Sequence, residues 1–497
     1  MARWSLAVDV GEGGLPVFVR IARAISDDIR RGRLAKGAAL PGTRTLASSL
    51  GVHRNTVLAA YQDLAAEGWI TTENARGTFV SDEIPDVKPR RFSPRAAVPT
   101  AMAVRPGFDL PSSPPNANQL EEMLEATQVE PEMSLGGGIP DVRLVPEDEL
   151  SRAIRRVLRR RARQVLSYGP PEGPHDLRRA LAEMLATTRG VLARGENLLV
   201  TRGSQMGVDL ASRGLLAPGD TVAVESLGYR PAWEAMRAAG LRLVPVRIDA
   251  GGLDVDELER LLETENVRAV YVTPHHQFPT TVSLSAPRRL KLLELARAHR
   301  FFILEDDYAH EFNYEGRPVL PLASADVHGV VVYLGTLSKV LAPGVRIGFV
   351  AATPPVVKRL AAIRRVIDRQ GDHLLEQAVA DLLEDGSIQR HIRRARRIYA
   401  DRRETLANHL RARFGDALSF ELPSGGTAIW VKVTSPVSVD AWAACALRRG
   451  LQLQRAKLFA FDGKSRPFFR LGFAQHDDRE MREAVRRMHT AMNDARA

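Results

Sequence analysis

Residues 329–350 read GVVVYLGTLSKVLAPGVRIGFV, and the order of residue types in this stretch decides the fold. An unbroken apolar run, too short for a helix and bounded by glycine, reads as a strand buried on both faces. Further runs of the same kind are NLLVT (197–201), TVAVES (221–226), LRLVPV (241–246), VRAVYVTP (267–274) and FFILEDD (301–307), with helical segments between them. That alternation predicts an α/β domain with a mostly parallel sheet covered on both sides, starting at about residue 131. From about Val356 the pattern changes to long Arg-rich helices followed by TAIWVKV and FFRLGFA, a smaller α+β C-terminal subdomain.

Open parallel sheets bind ligands beyond the carboxyl ends of their strands, and Lys339 stands there, just after a small-residue turn. A lysine so placed can form a Schiff base with a carbonyl cofactor. Pyridoxal phosphate also needs a carboxylate at its ring nitrogen, phosphate donors such as helix N-terminal amides, and an aromatic face. Asp306 and Tyr308 end the strand before that of Lys339. TRGSQMG (201–207) leaves a strand to open a helix and offers Ser204, Gln205 and nearby amides; Ser338 and Arg346 can reach the same phosphate, and Tyr229 can stack on the ring. Singly, a strand-end Asp is a turn residue and a Tyr after a strand is a core edge. It is their shared place at carboxyl strand ends that argues for a cleft.

Toward the N-terminus, Phe18, Ile21, Ile25 and Ile29 recur at helical spacing. TRTLASSL is a short second helix closed by Gly51. RNTVLAAYQDLAAEG is a third, with Val57, Tyr61 and Leu64 on one face and Gly68 as its stop, and WITTENARGTFV supplies two short strands around a turn with Asn74, Arg76 and Gly77. This is a winged helix-turn-helix reading over residues 14–81. The third helix would present Arg54, Asn55 and Thr56 to base edges in the major groove. Arg44 and the wing residues Arg76 and Gly77 would meet phosphates or the minor groove. Residues 16–80 carry nine Lys/Arg and five Asp/Glu, so the order of elements argues for DNA more than charge does.

Between the two lies a linker, residues 82–130, with proline at 85, 89, 94, 99, 106, 111, 114 and 115. The whole chain of 497 residues has a net charge of +11 and a single cysteine, Cys445. One cysteine excludes a disulfide framework and a cysteine zinc site, and no metal site is expected. No apolar h-region opens the chain and no run approaches a membrane span, so a soluble, cytoplasmic protein in a reducing compartment is expected. The arginine runs RRVLRRRAR (155–163) and RRARRIY (393–399) read as solvated helix faces rather than as an extension of a DNA footprint.

LPGTRTLASSLGVHRNTVLAAYQDLAAEGWITTENARGTFV resembles the DNA-binding domain of GntR-type regulators. TRGSQMG, TPHHQFPT, FFILEDDYAHEFNY, GTLSKVLAPGVRIGF and FFRLGFA resemble the motifs of fold-type I aminotransferases. In combination, over residues 14–81 and 131–497, the chain is similar to the MocR/GabR subfamily of GntR regulators. The resemblance implies that Lys339 forms the Schiff base with pyridoxal phosphate and that Asp306 pairs with the ring nitrogen. It implies that Tyr308 bonds the phenolic oxygen and that Ser204, Gln205, Ser338 and Arg346 hold the phosphate. By the same resemblance Tyr168, in SYGPPEG, reaches the phosphate of a neighbouring subunit, and Arg470 clamps an effector's carboxylate, for which a planar bidentate group is suited. A homodimer follows, with the DNA-binding unit of one chain on the large domain of the other.

Four positions depart from the family patterns. Gly42 and His53 take N-cap positions where the family usually has Ser, and Ser or Thr. Histidine is not among the favoured caps, which leaves a phosphate contact from residue 53 unsupported. Phe278 replaces the Asn that touches the phenolic oxygen, Thr281 replaces a Gly, and His276 or Gln277 would substitute for the lost contact. The function expected is a regulator that binds double-stranded operator DNA and senses a small amino compound, or the cofactor itself. The rivals are a working aminotransferase with a DNA-binding appendage and a regulator whose large domain is only a scaffold.

Overall fold

The computed structural model describes residues 15–73, 76–83, 131–316 and 319–496. Nearly all of the proline-rich linker and Asn74 of the wing turn lie outside the described residues. The chain forms two compact units, divided between Pro115 and Asn116.

In the first unit, helices α1 (Val17–Arg30), α2 (Thr43–Leu50) and α3 (Arg54–Ala66) are followed by an antiparallel pair, β1 (Ile70–Glu73) and β2 (Gly77–Val80). Ile21, Ile25 and Ile29 bury the α1 stripe against Val57, Tyr61 and Leu64 of α3, while Phe18 is only half-buried. Gly51 ends α2 in the left-handed region, φ 65°, where glycine avoids the Cβ clash. The Tyr61 hydroxyl donates to Pro41 O at 2.7 Å, tying α3 to the chain that enters α2. His53, a poor cap by residue type, does cap α3: its Nδ1 accepts the Asn55 N–H at 3.3 Å. An unprotonated imidazole nitrogen accepts as a Ser oxygen would, so the expectation from residue preference is corrected.

The second unit is built on a seven-stranded sheet. In chain order, with the covering helices, its elements are α4 (Glu147–Val165), α5 (His175–Arg189), β3 (Leu198–Thr201), α6 (Ser204–Leu215), β4 (Thr221–Glu225), α7 (Arg230–Ala238), β5 (Arg242–Val246), α8 (Val255–Thr264), β6 (Val267–Val272), α9 (Ala286–His299), β7 (Phe302–Asp307), β8 (Val331–Thr336), β9 (Gly348–Ala351), α10 (Pro354–Ile367) and α11 (His373–Glu384). The strand order is β3-β9-β8-β7-β6-β4-β5, all parallel except β9, which runs antiparallel to both neighbours. Each strand read from the sequence is present. The reading missed β9, whose apolar stretch is four residues long and begins right behind Arg346. Apolar layers cover both faces: Val270, Ile303, Tyr333 and Phe349 point to one, and Leu199, Tyr271, Leu304 and Leu334 to the other.

The C-terminal subdomain joins the long helix α12 (Ser387–Phe414) to a four-stranded antiparallel sheet of β10 (Leu418–Ser419), β11 (Ala428–Val433), β12 (Gln454–Arg455) and β13 (Phe468–Gly472), in the order β10-β11-β13-β12. Helices α13 (Val439–Arg448) and α14 (Asp478–Arg496) pack on it, the Trp442 indole N–H donating to Met488 O at 2.8 Å. Among the described residues no helix is long and apolar enough to cross a membrane.

Thr281 adopts φ 66° in the turn after β6, its N–H donating to Gln277 O at 2.7 Å. A β-branched side chain in the left-handed region costs about 1–2 kcal/mol. Thr281→Gly removes that cost but loosens the unfolded chain, so a net gain of roughly 0.5–1 kcal/mol is expected, read as a higher urea midpoint.

Candidate functional site

Five parallel strands of the large sheet deliver polar groups to one edge of it. Beyond β3, Ser204 and Gln205 open α6; beyond β4, Tyr229 precedes α7; beyond β6 stands Thr273. β7 carries Asp306 one residue before its end, with Tyr308 just past it, and beyond β8 come Ser338 and Lys339. All of them line one cavity of about 530 Å³, together with Gly137, Tyr271, Phe278, Pro343, Arg346 and Gln454.

Lys339 Nζ lies 3.4 Å from Gly138 O. Burial first, and then the charge of Arg470, bring its pKa down to about 8. Asp306 is buried; its Oδ2 accepts the Tyr271 hydroxyl at 2.8 Å, and its Oδ1 has no partner. Burial pushes this carboxyl up to about 6. Deeper still, Glu225 at the end of β4 accepts the Thr273 hydroxyl at 2.8 Å and is pushed up to about 7 by burial.

At the α6 end, Gly203 has φ 76°, and a Cβ there would come within 2.8 Å of Arg346 Nη2; one on Gly348 would come within 2.5 Å of Gly203 C. The glycines let β9, the α6 N-terminus and the guanidinium close on one another. Arg346 is itself left-handed at φ 52° and donates to Arg202 O at 2.8 Å. The side-chain oxygens Ser338 Oγ and Gln205 Oε1 are buried without partners.

On the C-terminal subdomain side, Arg470 of β13 is 1% exposed. Its guanidinium lies over the Phe278 ring at 4.5 Å, while Nε and Nη1 have no partner. Burial holds its pKa below the ordinary arginine value. Phe278 also meets Tyr229 edge-on, ring centroids 5.4 Å apart.

Two expected cofactor contacts do not reach the cavity. Gln277 is consumed by its own turn, Nε2 donating to Leu227 O at 2.7 Å and Oε1 accepting the Thr280 N–H at 3.1 Å. His276 turns away, so that a Cβ on Gly425 would meet its Cε1 at 2.3 Å; only its carbonyl faces the site, accepting the Tyr308 hydroxyl at 2.7 Å. Phe278 lines the cavity instead of either. Tyr168 is also outside it: the side chain is 77% exposed, with the Arg369 guanidinium 4.0 Å from its ring centroid. The sequence reading missed Tyr271 and Gln454. A tyrosine inside an apolar strand passes for core, and only the need of a buried hydroxyl for a partner marks it.

In the first unit Arg44, Arg54, Asn55, Arg76 and Gly77 are exposed and Thr56 is half-buried. Arg54 Nε reaches Thr43 Oγ1 at 3.4 Å, linking the starts of α3 and α2, and Arg76 pairs with Glu73 at 2.8 Å. Arg393, Arg394, Arg396 and Arg397 of α12 are exposed, in keeping with a solvated face. In α4, Arg156 is tied to Asp381 at 3.0 Å.

A mostly parallel sheet with a lysine beyond the end of one strand and, near the end of the next, a buried carboxylate with one bare oxygen has the arrangement of an aminotransferase-like protein. The aminotransferase class I and II family model matches residues 132–488, and the chain belongs to that family, which uses pyridoxal phosphate. Residues 19–80 match the gntR family of bacterial regulatory proteins. The two together make the chain a MocR-type regulator with an aminotransferase-like domain. It is 28% identical over 483 residues, 97% of this chain and 94% of the relative, to a probable rhizopine catabolism regulatory protein, MocR, of Rhizobium meliloti. It is 31% identical to the 2-aminoadipate transaminase of Thermus thermophilus, over 76% of this chain and 94% of that one. Among solved structures, the α-aminoadipate aminotransferase LysN of Thermus thermophilus, complexed with N-(5'-phosphopyridoxyl)-L-leucine, superposes with TM-score 0.69 at 29% identity, covering 76% of this chain and 94% of that one.

The cavity fits the family's cofactor on its own terms. Asp306 Oδ1 lacks a cationic or donor partner, as a site for a ring nitrogen requires, and Ser338, Arg346 and the α6 amides form an anion cradle.

Proposed function

We propose that the large unit binds pyridoxal phosphate and an amino compound bearing a carboxylate, and that this occupancy governs operator binding by the N-terminal unit. One observation carries the reading: Lys339 and Asp306, with its bare Oδ1, line one cleft, and the Arg470 guanidinium, with Nε and Nη1 unpartnered, packs on Phe278 of that lining. When bound, the cofactor supplies an electrophilic carbonyl carbon and an electron-withdrawing ring. Lys339 provides the nucleophilic amine, and its lowered pKa raises the neutral fraction near neutral pH. Asp306 holds a proton at the ring nitrogen. Ser204, Gln205, Ser338 and Arg346 bind the phosphate, Tyr229 and Phe278 cover the ring, and Tyr308 orients the phenolic oxygen. Arg470 takes the effector's carboxylate. The signal requires two states of the protein with different effector affinity.

Phe278 favours sensing over turnover. At the edge where the family's enzymes place an amide, its ring offers no hydrogen bond and packs on Arg470. A homodimer is part of the same reading, supported by the exposed apolar side chains Leu166, Tyr168, Val366 and Ile367 about the Arg369 stack.

The test is binding of the full-length protein to fragments of its own promoter region, with and without cofactor and a panel of amino acids. Arg54→Ala and Asn55→Ala should each weaken specific binding by about 1–3 kcal/mol, roughly 5- to 150-fold, while leaving non-specific DNA binding near wild type. Unchanged specific binding in both variants, or no effect of any amino compound, would sink the proposal.

A further inference from the structure

Behind the cleft, on the opposite face of β7, a second group of side chains has no role in the reading above. Asp307 alternates with Asp306 along the strand and therefore points the other way. It meets His275, just after β6, and His310, three residues further along the chain. All three are buried, at 2%, 5% and 5% exposure.

Both Nε2 atoms face backbone carbonyls. His275 Nε2 meets Val319 O, and His310 Nε2 faces Thr188 O at 3.4 Å. A backbone carbonyl only accepts, so each Nε2 is assigned the hydrogen, and a neutral ring then keeps its lone pair on Nδ1. Both lone pairs face the same carboxylate: His275 Nδ1 lies 3.8 Å from Asp307 Oδ1, and His310 Nδ1 lies 3.1 Å from Asp307 Oδ2. With both rings neutral, three acceptor groups thus converge within 4.8 Å of one another, and the donor that reaches them, the Tyr333 hydroxyl, occupies only Asp307 Oδ2. His275 Nδ1, His310 Nδ1 and Asp307 Oδ1 are buried without a hydrogen-bond partner.

Buried acceptors left bare cost free energy, so something positive belongs between them. A single shared proton would bridge one imidazole to the carboxylate and leave the other pair still facing each other. A single metal cation satisfies all three at once. We infer that His275, Asp307 and His310 form a site for a divalent transition-metal ion of the zinc type. Two imidazoles and a carboxylate are the borderline-soft donors such ions take. Each imidazole also passes its other N–H to a backbone carbonyl, the outer contact that orients metal-bound histidines. The surrounding charges are already disposed of. Arg189 is held by Glu311 and Tyr333, Tyr333 donates to Asp307 Oδ2 at 2.7 Å, and Arg289 donates to the carbonyls of Leu284, Leu320 and Pro274. Glu305 accepts the N–H groups of Leu322 and Ala323.

The test uses untagged full-length protein, since a histidine tag would bind metal itself. The protein is loaded with zinc, dialysed, and assayed for metal by mass spectrometry. Stoichiometric zinc is expected. His310→Ala and His275→Ala should lose affinity by at least the roughly 10- to 100-fold that even a lost outer contact costs. Substitution by cobalt(II) should give visible d–d absorption in the wild type and none in Asp307→Asn, and a chelator should lower the wild-type thermal midpoint. Retained uptake of pyridoxal phosphate, which the inference does not depend on, shows that a variant is folded. Zinc-loaded wild type that dialyses to no metal, with a midpoint indifferent to zinc and chelator, would overturn the assignment and leave a shared proton in its place. The wild-type measurements decide this even if every variant fails to fold.

Discussion

Lys339→Ala is expected to yield folded protein that no longer develops the visible absorption band of covalently held pyridoxal phosphate. Among the described residues Nζ is the only side-chain amine lining the cavity, and its one polar contact is a 3.4 Å approach to Gly138 O. Truncation therefore breaks no network. The cradle of Ser338, Arg346 and the α6 amides remains, so the mutant should still bind the cofactor weakly and release it on dialysis. A pH dependence follows from the direction of the shift. The Lys339 pKa lies below its ordinary value of 10.5, at about 8, because burial and the neighbouring Arg470 disfavour the ammonium. Only the neutral amine attacks a carbonyl. In wild-type apoprotein the rate of band formation should therefore rise through about pH 8 and level off above it. A band of full intensity in Lys339→Ala would overturn the assignment of the nucleophile.

The second large effect is expected at Arg470. Its guanidinium is buried with two nitrogens unpaired, an arrangement that pays only if an anion arrives. Replacing it with Met should have opposite consequences for binding and for stability. Affinity for α-amino acids should fall by about 2–5 kcal/mol, a factor of roughly 30 to several thousand. Simple amines without a carboxylate should bind as before. The apoprotein should become more stable, since a buried charge that no carboxylate pairs gives way to an apolar chain of similar length. Calorimetric titration and a thermal scan on the same sample would show both signs. Equal affinity of mutant and wild type for amino acids would place the carboxylate elsewhere.

Much of this site was legible because strand ends are legible. The apolar runs mark where β3, β4, β6, β7 and β8 stop, and the residues just past them are Ser204, Tyr229, Thr273, Tyr308 and Lys339. The direction of a side chain off a turn is not written in that pattern. His276, Gln277 and Phe278 are consecutive, yet only Phe278 faces the cavity, because the turn uses the Gln277 amide for its own hydrogen bonds. For the same reason the grouping of His275 with Asp307 and His310 went unremarked: His275 is distant from the other two in sequence, and only the pairing of β6 with β7 brings it to them. β9 was missed because four residues carry too little periodicity to register against the arginine before them. His53 shows the reverse limit, where a residue-type preference was a poorer guide than the lone pair it summarises.

Asp306 and Asp307 sit back to back on β7, one facing each side of the sheet. The partition between cleft and interior is one peptide chain thick, and adjacent peptide units share its charge. Inserting or deleting a single residue in that strand would exchange the two carboxylates, sending each to the wrong compartment. The strand's length is thus as much a functional constraint as any side chain it carries.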